Sequence, residues 1–146
     1  MQIRRYVAAA AVPLLLLAVG CEKDKDKEAN KANAGKSCDG LLKPADASAA
    51  LPSDIPAGVD NATFYEVATQ GSTKQYFAYV SGDDIVGTRD KIKAAFEAKN
   101  VTVKDTDQEA GAEAELEFEA GGNEGSVQVI PLCKDTLRLR YRVGPK

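Results

Sequence analysis

The sequence predicts an α+β domain in which one helix packs on a twisted antiparallel sheet, in the order β-β-α-β-β-β-β. Three observations lead there. The C-terminal third alternates with period two, as half-buried strands do. Ala114, Leu116, Phe118 and Ala120 interleave with Glu113, Glu115, Glu117 and Glu119, while Leu137, Leu139, Tyr141 and Val143 interleave with Arg138, Arg140 and Arg142. One stretch, within residues 83–99, spaces its apolar residues as a helix does. Gly, Asn and Asp fall between the strand-like runs, where tight turns need them.

Taken in order, residues 39–62 hold Pro44, Pro52 and Pro56 and read as an irregular lead-in, with Leu41, Leu42, Leu51 and Ile55 expected to pin it to the core. Residues 63–69 and 73–81 are β-rich runs separated by Gln70-Gly71-Ser72, a hairpin signal. For the helix, Asp83, Asp84 or Thr88 is a candidate cap and Asn100 a stop. Ile85, Ile92, Ala95 and Phe96 would line its buried side, and Gly87 is expected to split off its first turn, leaving 88–99 as the regular part. A short strand is expected over 101–104, then the Glu-alternating strand. Residues 126–133 follow as another strand after a turn at 121–125, and Lys134-Asp135 leads into the last one.

The chain has 146 residues and a net charge of −3, from 19 Lys and Arg against 22 Asp and Glu. That length allows one modest domain. It lacks His and therefore the commonest general base and metal ligand. Aromatics at 6% and an acidic balance argue against nucleic acid as a partner.

Residues 1–20 carry the three parts of a signal peptide. Arg4 and Arg5 form a positive start, residues 7–19 are a run of 13 apolar residues, and Ala18, Val19 and Gly20 precede Cys21. A run of 13 is short of the about 20 residues a bilayer core requires. Leu17-Ala18-Val19-Gly20-Cys21 resembles the lipobox of bacterial lipoproteins, with Ala18 where the family favours Leu. The resemblance implies cleavage before Cys21 and attachment of diacylglycerol to its sulfur, with palmitate-type chains holding the protein to a membrane. Each buried CH₂ contributes about 0.8 kcal/mol, so several chains anchor far more firmly than one. In two-membrane bacteria of the enteric type, Asp after the lipidated Cys retains the protein at the inner membrane. Glu22 stands there instead and leans toward the outer one. With a single membrane, the domain faces outward from the cytoplasmic membrane.

Residues 21–37 then read as the lipid-bearing Cys and a flexible charged tether. The 16 residues after Cys21 hold four acids and five bases and nothing apolar larger than Ala. As a coil they span roughly 20–25 Å. Residues 38–146 form the single globular domain, with 12 bases and 18 acids, a charge repelled by anionic lipid heads. Its two cysteines, Cys38 and Cys133, read as a disulfide in an exported chain, enclosing 94 residues. Closing such a loop stabilises by roughly 4–5 kcal/mol through chain entropy.

The domain layout also resembles one recurring in small exported bacterial lipoproteins. There a Pro-Asp-Pro-type lead-in, here Leu51-Pro52-Ser53-Asp54-Ile55-Pro56, precedes a hairpin, one helix and a Val-x-Val strand, here Val101-Thr102-Val103. No activity attaches to that layout.

Residues 105–109, Asp-Thr-Asp-Gln-Glu, start like a calcium-binding EF-hand loop, but Ala110 stands where Gly is needed and Leu116 where a bidentate Glu belongs. The segment reads as a solvated acidic turn, and no metal or other cofactor is expected. The four alternating glutamates would share one open face, where none is desolvated enough for acid–base work. Ser has no His partner. The expectation is a lipid-anchored, non-enzymatic envelope protein that binds another envelope component. Arg138, Arg140 and Arg142 are its candidate contact residues, offering forked donors to a carboxylate or phosphate. The bland reading of the same charges is cross-strand pairing between Glu and Arg bridged by Gln128. The second class of function is a carrier for a small apolar ligand held between helix and sheet.

Overall fold

A computed structural model of the chain describes residues 34–146 apart from Ala110. The expected signal segment, Cys21 and most of the tether lie outside these residues. Six strands and one helix follow the expected order: β1 Thr63–Gln70, β2 Thr73–Ser81, α1 Ile85–Ala98, β3 Thr102–Glu109, β4 Glu113–Ala120, β5 Asn123–Cys133 and β6 Thr136–Pro145. The strands form one antiparallel sheet in the spatial order β1-β2-β6-β5-β4-β3. The last strand thus closes the sheet by inserting between the first hairpin and the β3–β5 meander.

Period-two alternation sorts the side chains onto two faces. Leu116, Phe118, Val127, Val129, Leu139 and Tyr141 point inward, where Ile92 and Phe96 of α1 meet them, all fully buried or nearly so. Phe96 meets Phe118 edge-on, with ring centroids 5.0 Å apart, a geometry that aromatic quadrupoles favour. Tyr141 lies wholly inside the core and donates its hydroxyl proton to the Ala57 carbonyl.

Asp84 caps the helix, its carboxylate accepting from the Gly87 N–H at 2.8 Å. Gly87 does not split the helix as expected. The segment is helical from Ile85, and a Cβ at position 87 would meet the Asp84 carboxylate at 2.1 Å, so the glycine makes room for the cap. Asn100, at a left-handed φ of 59°, ends the helix as anticipated.

Three further expectations are corrected. The acidic stretch 105–109 is no turn: β3 runs through it to Glu109, paired with β4 along its length. Ladder hydrogen bonds along β4 outweigh the low strand propensity of its aspartates. β5 begins at Asn123, because Gly121-Gly122 alone makes the turn, with Gly121 at φ 56°. Leu41 and Leu42 are exposed and pin nothing, whereas Ile55 is buried and Leu51 packs against the core.

The lead-in is fastened elsewhere. Cys38 and Cys133 are disulfide-bonded, with Cα atoms 5.2 Å apart. Beside them the Lys134 N–H donates to the Lys36 carbonyl at 2.8 Å. The chain therefore enters the domain at the β5–β6 turn. It then passes Lys43, whose carbonyl accepts from the Tyr79 hydroxyl at 3.2 Å, and rounds the start of β1.

Candidate functional site: the outer face of the sheet

The face turned away from α1 carries the side chains singled out in the sequence. Strand register lines them up in rows. One row runs Asp107, Glu115, Gln128, Arg140 and Phe77 across β3, β4, β5, β6 and β2. The next runs Asp105, Glu117, Ser126, Arg142 and Gln75. Arg138 stands between Ile130 and Tyr79. Each full row reads acid, acid, neutral, arginine, then an uncharged β2 residue. All four β4 glutamates and all three arginines share this face because the core residues between them take the other one.

The expected bridge through Gln128 is present. Its amide donates to Glu113 at 2.5 Å and its carbonyl accepts from Arg140 at 2.6 Å, so one neutral side chain links the acidic and basic strands. Glu113 and Gln128 are buried, so the face is less open than the alternation suggested. Because β5 separates β4 from β6, the glutamates and arginines of these rows stand two strands apart.

Between β3 and β4 the pattern is the reverse of a stabilising one. Asp105 lies opposite Glu117, Asp107 opposite Glu115 and Glu109 opposite Glu113. Like charges directly opposite on a sheet are destabilising. Nothing in the sequence alone revealed this, since the acidic stretch read as a turn. At the far end Glu119 accepts from Lys104 at 3.0 Å and from Lys146 at 2.9 Å. Those two bonds, Lys146 first, hold the Glu119 carboxyl below its ordinary pKa.

The basic side of the face is flanked by aromatics. Tyr65 stacks on Tyr79 at 5.8 Å and approaches Phe77 at 6.3 Å. Burial, chiefly, raises the Tyr65 hydroxyl pKa. Lys43 lies over the Tyr65 ring, 5.5 Å from its centroid, and pairs with Glu66. The Glu66 carboxylate raises the pKa of this exposed ammonium.

A groove of about 540 Å³ crosses the end of the face remote from the disulfide. Ser126 and Gly144 give it a low floor, with Arg142 and Thr73 on one side and Glu117 and Lys104 on the other. Gly125 belongs to the same floor, and a Cβ there would meet the Arg142 carbonyl oxygen at 1.9 Å. Among the described residues no group of three His, Cys, Asp or Glu side chains is placed to hold a metal ion. The space under the helix, where an apolar ligand would sit, is occupied by Ile92, Phe96, Leu116 and Phe118.

No family model matches the chain, and no curated protein matches it.

Proposed function

We propose that the protein is a lipid-anchored component of the cell envelope. Its exported domain binds another envelope component through the outer sheet face, without catalysis. The anchor rests on the signal-like residues 1–20 and the lipobox-like ending at Cys21. The domain is then held at its β5–β6 end by a tether beginning at the membrane, and the rest of the sheet extends away from that end.

The observation that carries the binding face is the ladder of like charges between β3 and β4. A surface tuned for stability alternates signs between neighbouring strands, where each opposite pair contributes roughly 0.2–1 kcal/mol. Here acids sit on adjacent strands and arginines are gathered two strands away, beside aromatics. That segregation weakens the isolated sheet and suits contact with a partner of complementary charge. Arg and Tyr are also the side chains most often central to protein interfaces.

The face is tested by placing a photoreactive residue at position 140 and a control at exposed Val86 on α1, then irradiating intact cells. Position 140 is expected to yield reproducible adducts with an envelope component that position 86 does not. Equal adduct patterns from the two positions would refute the face. The anchor is tested separately: Cys21→Ser is expected to release the protein from the membrane fraction. Retention through an alkaline wash would refute it.

A further inference from the structure

We infer that the groove at the end of the outer face binds a basic α-amino acid, one that carries a second ammonium on its side chain. The inference goes beyond the partner contact proposed above. The groove lies at the exposed end of the same face and holds its ligand with or without a docked partner.

Two neighbouring rows of the sheet point to a ligand. In the first, Glu115, Gln128 and Arg140 are in register across β4, β5 and β6. The Gln128 carboxamide lies between a β4 carboxylate and a β6 guanidinium, donating to Glu113 and accepting from Arg140. That row is closed, with Gln128 and Glu113 buried. The second row repeats the flanks, Glu117 on β4 and Arg142 on β6, but its middle residue is Ser126. A hydroxyl directly on Cβ is too short to reach both sides. Glu117 and Arg142 are exposed, and among the described residues neither makes a hydrogen bond or ion pair. The position that a carboxamide fills in the first row is open in the second, and it lies within the groove of about 540 Å³.

A group that closes the second row must offer a donor to Glu117 and an acceptor to Arg142, a carboxamide's width apart. On an exposed face ions do this better than a neutral amide. Charge-assisted hydrogen bonds are roughly twice as strong as neutral ones, and arginine takes a carboxylate through two parallel bonds. An α-amino acid carries an ammonium and a carboxylate on one carbon and meets both demands.

The rest of the lining selects among amino acids. It holds Glu117, Glu119 and Glu124 against Lys104 and Arg142, a net charge of −1. Glu119 is engaged by Lys104 and Lys146. Glu124 is exposed and lies two residues along β5 from Ser126, on the same face. Two residues of strand span about 7 Å, the reach of a four-carbon side chain ending in an ammonium. Gly144, opposite Glu124 in the register, puts no side chain over that path. A ligand of charge +1 thus answers Glu117, Arg142 and Glu124 one group at a time.

The test is amide NMR of the full-length, lipidated chain in detergent, titrated with L-lysine. Saturable shifts are expected at Ser126 and Gly144, with none at Val86 on α1. L-norleucine lacks the side-chain ammonium, 6-aminohexanoate the α-ammonium and cadaverine the carboxylate, and each is expected to bind at least about tenfold more weakly. Ser126→Gln supplies the bridge that Gln128 makes in the first row and is expected to abolish the response. Arg142→Ser, at an exposed position, is expected to weaken L-lysine about tenfold and to bring it level with cadaverine. Unchanged core amide shifts and an intact Cys38–Cys133 bridge serve as folding controls. Absence of a saturable shift, equal binding of L-lysine and L-norleucine, or full binding by either folded variant overturns the site. Photo-adducts from position 140 report the partner separately. If they persist where L-lysine does not bind, the groove site fails and the binding face stands.

Discussion

The two faces of this sheet are made by the same strands and obey different rules. Inward, Leu116, Phe118, Val127, Leu139 and Tyr141 close on Ile92 and Phe96, and the Ala57 carbonyl receives the Tyr141 hydroxyl. Every choice there serves burial. Outward, the register sets Asp105 against Glu117 and Asp107 against Glu115, while Arg140 and Arg142 stand two strands off. The inner face explains why the domain folds. The outer face holds an ordered separation of charge, which the proposed function reads as a contact surface.

The sharpest way to break the comparison is to damage the inner face. Phe118→Ala removes a ring that contacts Phe96 in the centre of the core, and a loss of about 3–5 kcal/mol is expected in denaturant unfolding. A loss under about 1 kcal/mol would mean the helix is not seated on the sheet as described.

Tyr141→Phe probes the most deeply buried hydroxyl on that face. It leaves the Ala57 carbonyl without its donor and is expected to cost about 1 kcal/mol near neutral pH. Burial raises the Tyr141 pKa well above the ordinary tyrosine value of 10.0. The unfolded chain therefore gives up this proton from about pH 10 upward while the folded chain keeps it. Its contribution is complete below that pH and is lost as pH rises further, by up to about 1.4 kcal/mol per unit. Thermal unfolding of the wild type should fall steeply over that range, and Tyr141→Phe should flatten the fall.

On the outer face the effects on folding shrink. Arg142→Ser alters an exposed side chain, and unfolding should change by less than about 0.5 kcal/mol. The same substitution should nevertheless reduce adducts from position 140. A large loss of stability with adducts unchanged would make the arginine structural.

Much of the inner face was legible in the sequence because it is written locally. Alternation along 113–120 and 137–143 tells which residues turn inward, Asp84 and Asn100 bracket the helix, and two cysteines in an exported-looking chain imply their bond. The Glu and Arg ladders and their bridge through Gln128 were readable too, since β4, β5 and β6 follow one another. What escaped depends on pairing between distant segments. β6 lies beside β2 through a contact the intervening residues do not announce. Residues 105–109 become strand because β4 offers them a ladder, and only that pairing exposes the acid-to-acid register. Leu41 and Leu42 misled for a related reason: the disulfide fastens their segment, so their apolar side chains are not needed to do so.

The central claim is that the β3–β4 acids cost the isolated domain stability and exist for contact. Denaturant unfolding of Glu117→Lys against the wild type measures this most directly, because the new ammonium faces Asp105 in the register. The variant should be as stable as the wild type or more stable by up to about 1 kcal/mol. A variant less stable by about that amount would show that the acids serve the fold, and would contradict the claim.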